Sequence, residues 1–173
     1  MMKCWLNLFF LIILTYSSKC FGEVIVDHPT QRILIGYGLE RYTGKDTPNF
    51  SDTSASSFQP LDNKVPTLGI LPSDIWFRLP ITNKGSDNLE LLLEIAYPLL
   101  DEVELYIPDS HGRYQSIKLG EQQSFSTRKY KVPNYAFDIR LPGHEKTIFF
   151  LRIKSTEQII LPIYLTNERS FMK

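Results

Sequence analysis

Cysteine is nearly missing from this sequence. The only two, Cys4 and Cys20, fall within the first twenty residues, so the chain beyond them cannot be a disulfide-stapled scaffold, a thiolate metal site or a cysteine-nucleophile enzyme. An excess of one charge is missing as well. Lys and Arg total 19 against 19 Asp and Glu, which leaves no basic field to hold nucleic acid. Histidine is scarce: His28, His111 and His144 each sit beside turn-forming residues, without a second histidine at metal-ligand spacing. No Gly-x-Ser-x-Gly elbow accompanies them. Neither a metal nor a cofactor is expected, and catalysis is not the leading reading.

Long apolar runs are also lacking, with one exception at the start. Lys3 supplies a positive charge, Leu6 to Leu14 (LNLFFLIIL) a short apolar stretch, and Cys20-Phe21-Gly22 small residues at the two positions that a signal peptidase inspects. A membrane span needs roughly 20 apolar residues, and Thr15, Ser17, Ser18 and Lys19 interrupt this one too soon. Residues 1–22 are therefore read as a cleaved export signal. The mature chain, 23–173, is expected to be a single domain without a membrane span, in the periplasm or outside the cell.

What the chain has is aromatic and alternating. With 11 Phe and 9 Tyr, composition leans towards strands. Ile75 to Thr82 alternates Trp76, Arg78 and Pro80 with Phe77, Leu79 and Ile81, and Pro80 argues for an edge strand or a bulge. Leu89 to Tyr97 places Leu89, Leu91, Leu93, Ile95 and Tyr97 on a core side and Glu90, Leu92, Glu94 and Ala96 outside. Glu102 to Ile107 and Tyr114 to Leu119 flank a Pro-Asp-Ser-His-Gly hairpin signal. Tyr135 to Leu141, Thr147 to Lys154 and Ile159 to Leu165 supply the later strands; Glu23 to Asp27 and Arg32 to Glu40 supply the early ones, with Gly36 and Gly38 marking a bulge or a close backbone approach.

Between them, 41–66 is a long polar loop. Phe50, Phe58, Leu61 and Val65 are its only anchors, and Ser51 to Ser57 is its one helical candidate. A loop of this length in a compact domain is a covering segment or a mobile one. Phe125 is the buried candidate of the polar stretch after Gly120. About nine short strands with Pro- and Gly-rich turns predict an all-β fold, a jelly-roll-like antiparallel β-sandwich.

The serial order of WFRLPITN, LLLEIAYPLLDEVELYIPDSHGRY, LGEQQSFSTR, FFLRIKS and LPIYL, with IGYGLERY upstream, resembles the type 2 extracellular domain of bacterial seven-transmembrane receptors with diverse intracellular signalling modules. The resemblance spans Arg32 to Phe171. It implies a periplasmic ligand-sensing domain with a fold like that of carbohydrate-binding modules. Many members have proline where this chain has Ser124. Members normally continue into seven membrane helices and an output module. This chain stops at Lys173, so a membrane receptor or transducer protein is the expected partner, beside a small ligand for which carbohydrate is the candidate.

A sugar site needs flat aromatic faces and planar polar groups. Trp76 and Arg78 share a strand face, and Arg128, Tyr130 and Arg152 would join them if their strands are neighbours; Tyr106 and Tyr114 flank the hairpin as a ligand contact or a solvent-facing pair. The plainer reading makes Trp76 core and the arginines partners in rim ion pairs. Glu102 and Glu104 look like a glycosidase carboxylate pair but share one strand edge, which favours a solvated face. The rival functions are a glycoside-active or esterase-like enzyme on the same fold and a structural protein-interaction module.

Overall fold

The computed structural model describes residues 23–28, 31–51, 57–61 and 63–173. The expected export signal and most of the helical candidate at 51–57 lie outside the described residues. The strands are β1 (Val24–Val26), β2 (Ile33–Leu34), β3 (Glu40–Tyr42), β4 (Phe58–Pro60), β5 (Thr67–Gly69), β6 (Ile75–Asn83), β7 (Leu89–Ile95), β8 (Glu102–Pro108), β9 (Tyr114–Leu119), β10 (Tyr135–Leu141), β11 (Lys146–Lys154), β12 (Ile159–Ile160) and β13 (Ile163–Thr166), followed by a one-turn helix, α1 (Glu168–Phe171).

A front sheet runs β4-β3-β6-β11-β8-β9, with β1 added to β6; a back sheet runs β10-β7-β13-β2; β12 and β5 form a separate pair. All pairings are antiparallel except β1 with β6. The chain changes sheet from β6 to β7, β7 to β8, β9 to β10 and β10 to β11. Such crossing is jelly-roll-like.

Alternation explains the core. Phe77, Leu79 and Ile81 of β6, Val103 and Leu105 of β8, and Phe149, Leu151 and Ile153 of β11 face Leu91, Leu93 and Ile95 of β7, Phe137 and Ile139 of β10, and Ile163 and Leu165 of β13, all buried in one cluster. Asn83, fully buried, ties the β6–β7 turn to β10: its Nδ2 donates to the carbonyls of Asp87 and Leu141, and its Oδ1 accepts from the Gly85 N–H. The expected β8–β9 hairpin is present. The Asp109 carboxylate accepts from the N–H groups of His111 and Arg113, and Gly112 takes φ of 75°.

Several expectations need correcting. β6 lies within the front sheet rather than at its edge. Pro80 is tolerated there because β3 is in register only as far as Arg78 and β1 begins at Ile81, so the proline stands where one partner gives way to the next. The final strand is two strands: Pro162 separates β12 from β13. The stretch expected as a strand from Arg32 to Glu40 contains a 3₁₀ turn at Gly36–Gly38. Gly36 is the close approach that its sequence position allows, since a Cβ there would stand 2.3 Å from the Lys64 carbonyl oxygen. Phe125, expected to be buried, is half exposed and lies under the Arg128 guanidinium.

Candidate functional site

The strand registers put two rows of side chains on the outer face of the front sheet. Glu40, Arg78, Phe150, Tyr106 and Ser116 lie opposite one another across β3, β6, β11, β8 and β9. In the adjoining row, Trp76, Arg152, Glu104 and Lys118 cross from β6 to β9. Four of the six expected site residues, Trp76, Arg78, Tyr106 and Arg152, are therefore on one face.

The aromatic members gather around a residue from no strand. Phe50, in the long polar loop, stacks on Phe150 with ring centroids 4.6 Å apart and an interplanar angle of 22°. Tyr106, Tyr114 and Trp76 stand tilted around it at 4.9, 5.0 and 5.8 Å. Trp76 is thus not in the core, and Tyr106 and Tyr114 are not a free solvent-facing pair. Burial raises the Tyr114 phenol above its usual range, and burial followed by the nearby Glu104 charge does the same to Tyr106. The Tyr114 hydroxyl donates to the Ile148 carbonyl.

Charge is packed beside the rings. Arg78 donates to Glu40 at 2.5 Å, both being nearly buried, and its guanidinium lies 4.4 Å over the Phe58 ring. Arg152 is held by three carboxylates: Glu104 at 2.8 Å, Asp74 at 2.5 Å and Glu102 at 3.2 Å. Lys118 completes the group, 2.8 Å from Glu102. Burial alone would push Glu104 up, but hydrogen bonds from Arg152, Ser116 and Tyr106 outweigh it and hold the carboxyl below the usual carboxylate range. The Lys118 hydrogen bond, opposed by burial, does the same for Glu102. The expected solvated face is therefore corrected: both side chains are only 14–15% exposed and β8 is flanked by β11 and β9. Carboxyls held ionised can orient a ligand's hydroxyls or a cation. They are poorly suited to act as the general acid of glycoside cleavage, which needs a raised pKa. Among the described residues no group of three or more His, Cys, Asp or Glu is arranged to hold a metal ion.

An open cleft of about 870 Å³ runs beside this network. One wall is the start of the long loop, Arg41 to Thr47 with Gln59; the other is Leu71 to Trp76. Trp76 and Asp74 thus border both the cleft and the residues of the outer face. A second cleft, of about 730 Å³, lies between the β8–β9 hairpin and the start of β11, with Tyr114 as its one aromatic wall.

The structure does not bring Arg128 and Tyr130 to this face, because the chain has by then crossed to the back sheet. Arg128 donates to the carbonyls of Gly120, Val132 and Pro133 and lies 4.9 Å over the Tyr135 ring. It pins the loop that carries the chain between sheets. Tyr130 donates to Asp138 of β10 and packs edge-on against Phe171. Phe150, Glu40 and Asp74 carry no site signal in the sequence, and Phe50 reads there only as a loop anchor. Phe150 follows Phe149 in a strand, so alternation alone sends it outward, where a large apolar residue signals a covered face.

No helix among the described residues is long and apolar enough to cross a membrane. No curated protein matches the chain. The family model described as 7TMR-DISM extracellular 2 matches residues 40–167, which takes in both rows of the outer face and both walls of the cleft and fits a periplasmic or extracellular placement. The chain belongs to the 7TMR-DISM extracellular 2 family.

Proposed function

We propose that this protein is an exported, non-enzymatic sensor domain that binds a small ligand, a saccharide, in the cleft beside Trp76 and works with a membrane receptor or transducer protein. One observation carries the reading: an open cleft is bordered by a flat indole and by planar polar groups, Asp74 and Gln59. A pyranose presents C–H-rich faces and a rim of hydroxyls, so it needs that combination of stacking surface and hydrogen-bonding groups fixed in place. Asp74 is fixed by Arg152. The ionised state of Glu102 and Glu104 speaks against the enzymatic rival, since neither is poised to protonate a leaving group.

The test is a glycan array followed by isothermal titration on hits, with Trp76→Ala as the control. A saccharide bound by the protein and lost by Trp76→Ala supports the reading. Equal binding by both proteins moves the site elsewhere, and no binding to any glycan removes the saccharide.

A further inference from the structure

Each of the two clefts shares a ring with the aromatic group between them. Trp76 borders the first cleft and Tyr114 the second, and Phe50 touches both, with ring centroids 5.8 and 5.0 Å away. The two outer rings are therefore no farther apart than those two steps laid end to end. Both clefts also reach the same face. Pro108, Tyr114 and Ile148 each stand two residues from a member of the row that holds Tyr106, Ser116 and Phe150, so alternation turns all three to the outer side of the front sheet, as it does Trp76.

The linings match in kind. In the first cleft the run Pro72-Ser73-Asp74 leads to the indole; in the second, Pro108-Asp109-Ser110 leads round the hairpin to the Tyr114 phenol. Each of these aspartates is held by an arginine, Asp74 by Arg152 at 2.5 Å and Asp109 by Arg113 at 2.9 Å. The backbone N–H groups of His111 and Arg113 fix the Asp109 carboxylate further. The Tyr114 ring is fixed too, since its hydroxyl donates to the Ile148 carbonyl. Charge is balanced in both places. Arg41 and Lys45 stand against Asp46 and Asp74 in the first cleft. In the second, Arg140 and Lys146 stand against Asp109 and Glu145. A balanced lining makes no demand for a charged ligand, yet it sets donors and acceptors side by side. A hydroxyl, which both donates and accepts, uses the two together, and the ring wall takes the C–H face of a sugar.

We infer that the two clefts are the ends of one platform and that the ligand is a chain of sugar residues, lying across the outer face from Trp76 to Tyr114 with the half-buried Phe50 and Tyr106 under its middle. The inference rests on the saccharide reading of the Trp76 cleft and adds to it a second site and a ligand length. Once one end of such a chain is seated, the other end meets its own cleft at a high effective concentration, so affinity climbs with length until both clefts are filled. A monosaccharide fills one cleft and gains nothing from the other.

The experiment is isothermal titration of the protein, Trp76→Ala, Tyr114→Ala and Ser110→Trp with glucose, xylose, mannose and N-acetylglucosamine and with the hexasaccharide of each. A hexasaccharide is expected to bind at least about tenfold tighter than its monosaccharide, and binding by the hexasaccharide alone also supports the inference. Trp76→Ala is expected to weaken both lengths. Tyr114→Ala and Ser110→Trp, which strip or fill the second cleft, are expected to cost the hexasaccharide about tenfold and the monosaccharide less. Should Tyr114→Ala fail to fold, Ser110→Trp, at the exposed tip of the hairpin, carries the comparison. If the two lengths bind alike, or if the second-cleft variants leave the hexasaccharide unchanged or weaken both lengths equally, the platform is refuted while the saccharide reading of the Trp76 cleft stands. If the protein binds no sugar at either length, both fall.

Discussion

The two outer faces of this sandwich are built from the same alternation and used differently. On the front sheet the outward positions hold Trp76, Tyr106 and Phe150 together with ion pairs shielded from water, and a segment of chain is laid across them. On the back sheet the outward positions of β10 hold Asp138 and Arg140, whose partners Lys129 and Glu90 are well exposed. Water screens the second set and is kept from the first. Among the described residues, the front face is the one that combines packed aromatic rings with ion pairs shielded from water. The back face also buries a charged residue, Glu94, which accepts from Arg32 at 2.8 Å and Asn134 at 2.6 Å while Arg32 lies over the Tyr164 ring.

The contrast breaks most visibly at Phe150. If the front face is a second packed layer, Phe150→Ala should cost about 3–5 kcal/mol, as for a core phenylalanine, because the side chain is fully buried between the sheet and Phe50. Urea unfolding measures it. A loss under 1 kcal/mol would mean that the face is loosely covered.

The charged half of the face makes the next largest claim. Arg152→Met strands Glu104 and Asp74, while Glu102 keeps Lys118, and should destabilise by about 2–4 kcal/mol at neutral pH. The pH dependence gives it a signature. Glu104, which Arg152 holds, has a folded-state pKa below the ordinary carboxylate range, so the folded state binds fewer protons than the unfolded one. Its contribution is in place above the unfolded value of about 4.3 and is lost as pH falls through the lower, folded one. Unfolding free energies measured between pH 7 and pH 3 should therefore converge for Arg152→Met and the unaltered protein at the acid end. Parallel curves would show that Arg152 acts through packing instead.

Smaller is the expected effect of Glu94→Gln, about 1–2 kcal/mol. The side chain keeps its shape and loses the charge that Arg32 and Asn134 bond to. Chemical denaturation of this variant beside Arg152→Met ranks the polar networks of the two faces.

How far the sequence reached is clear at the same positions. Alternation correctly put Trp76 and Arg78 on one face and Phe77, Leu79 and Ile81 on the other, because period two is a property of the strand itself. It could not say that Arg152 would lie directly between Trp76 and Glu104, since which strands are neighbours depends on crossovers between sheets. The same gap placed Arg128 and Tyr130 with the wrong group: their segment follows β9 in sequence but lies against β10 in space. Glu94 was rightly read as outward, yet an outward residue is exposed only if no other chain covers it, and Arg32 does. Phe50 was least legible of all. A ring in a loop of serines and aspartates has no periodicity to reveal the surface it rests on.

The smallest effect is the sharpest control on the contrast. Lys129 bridges both Asp138 oxygens at 2.7 Å, the shortest-looking ion pair of the back face, and the hydrogen bonds from Lys129 to Asp138 and Tyr130 raise the pKa of its ammonium group. The two side chains are 65% and 52% exposed, so water competes for both partners and ordering two long side chains offsets what attraction remains. Lys129→Ala is therefore expected to leave the thermal midpoint unchanged within error at both low and high salt. A salt-sensitive drop would mean that short distance outweighs exposure on this protein, and the difference drawn between the two faces would then rest on packing alone.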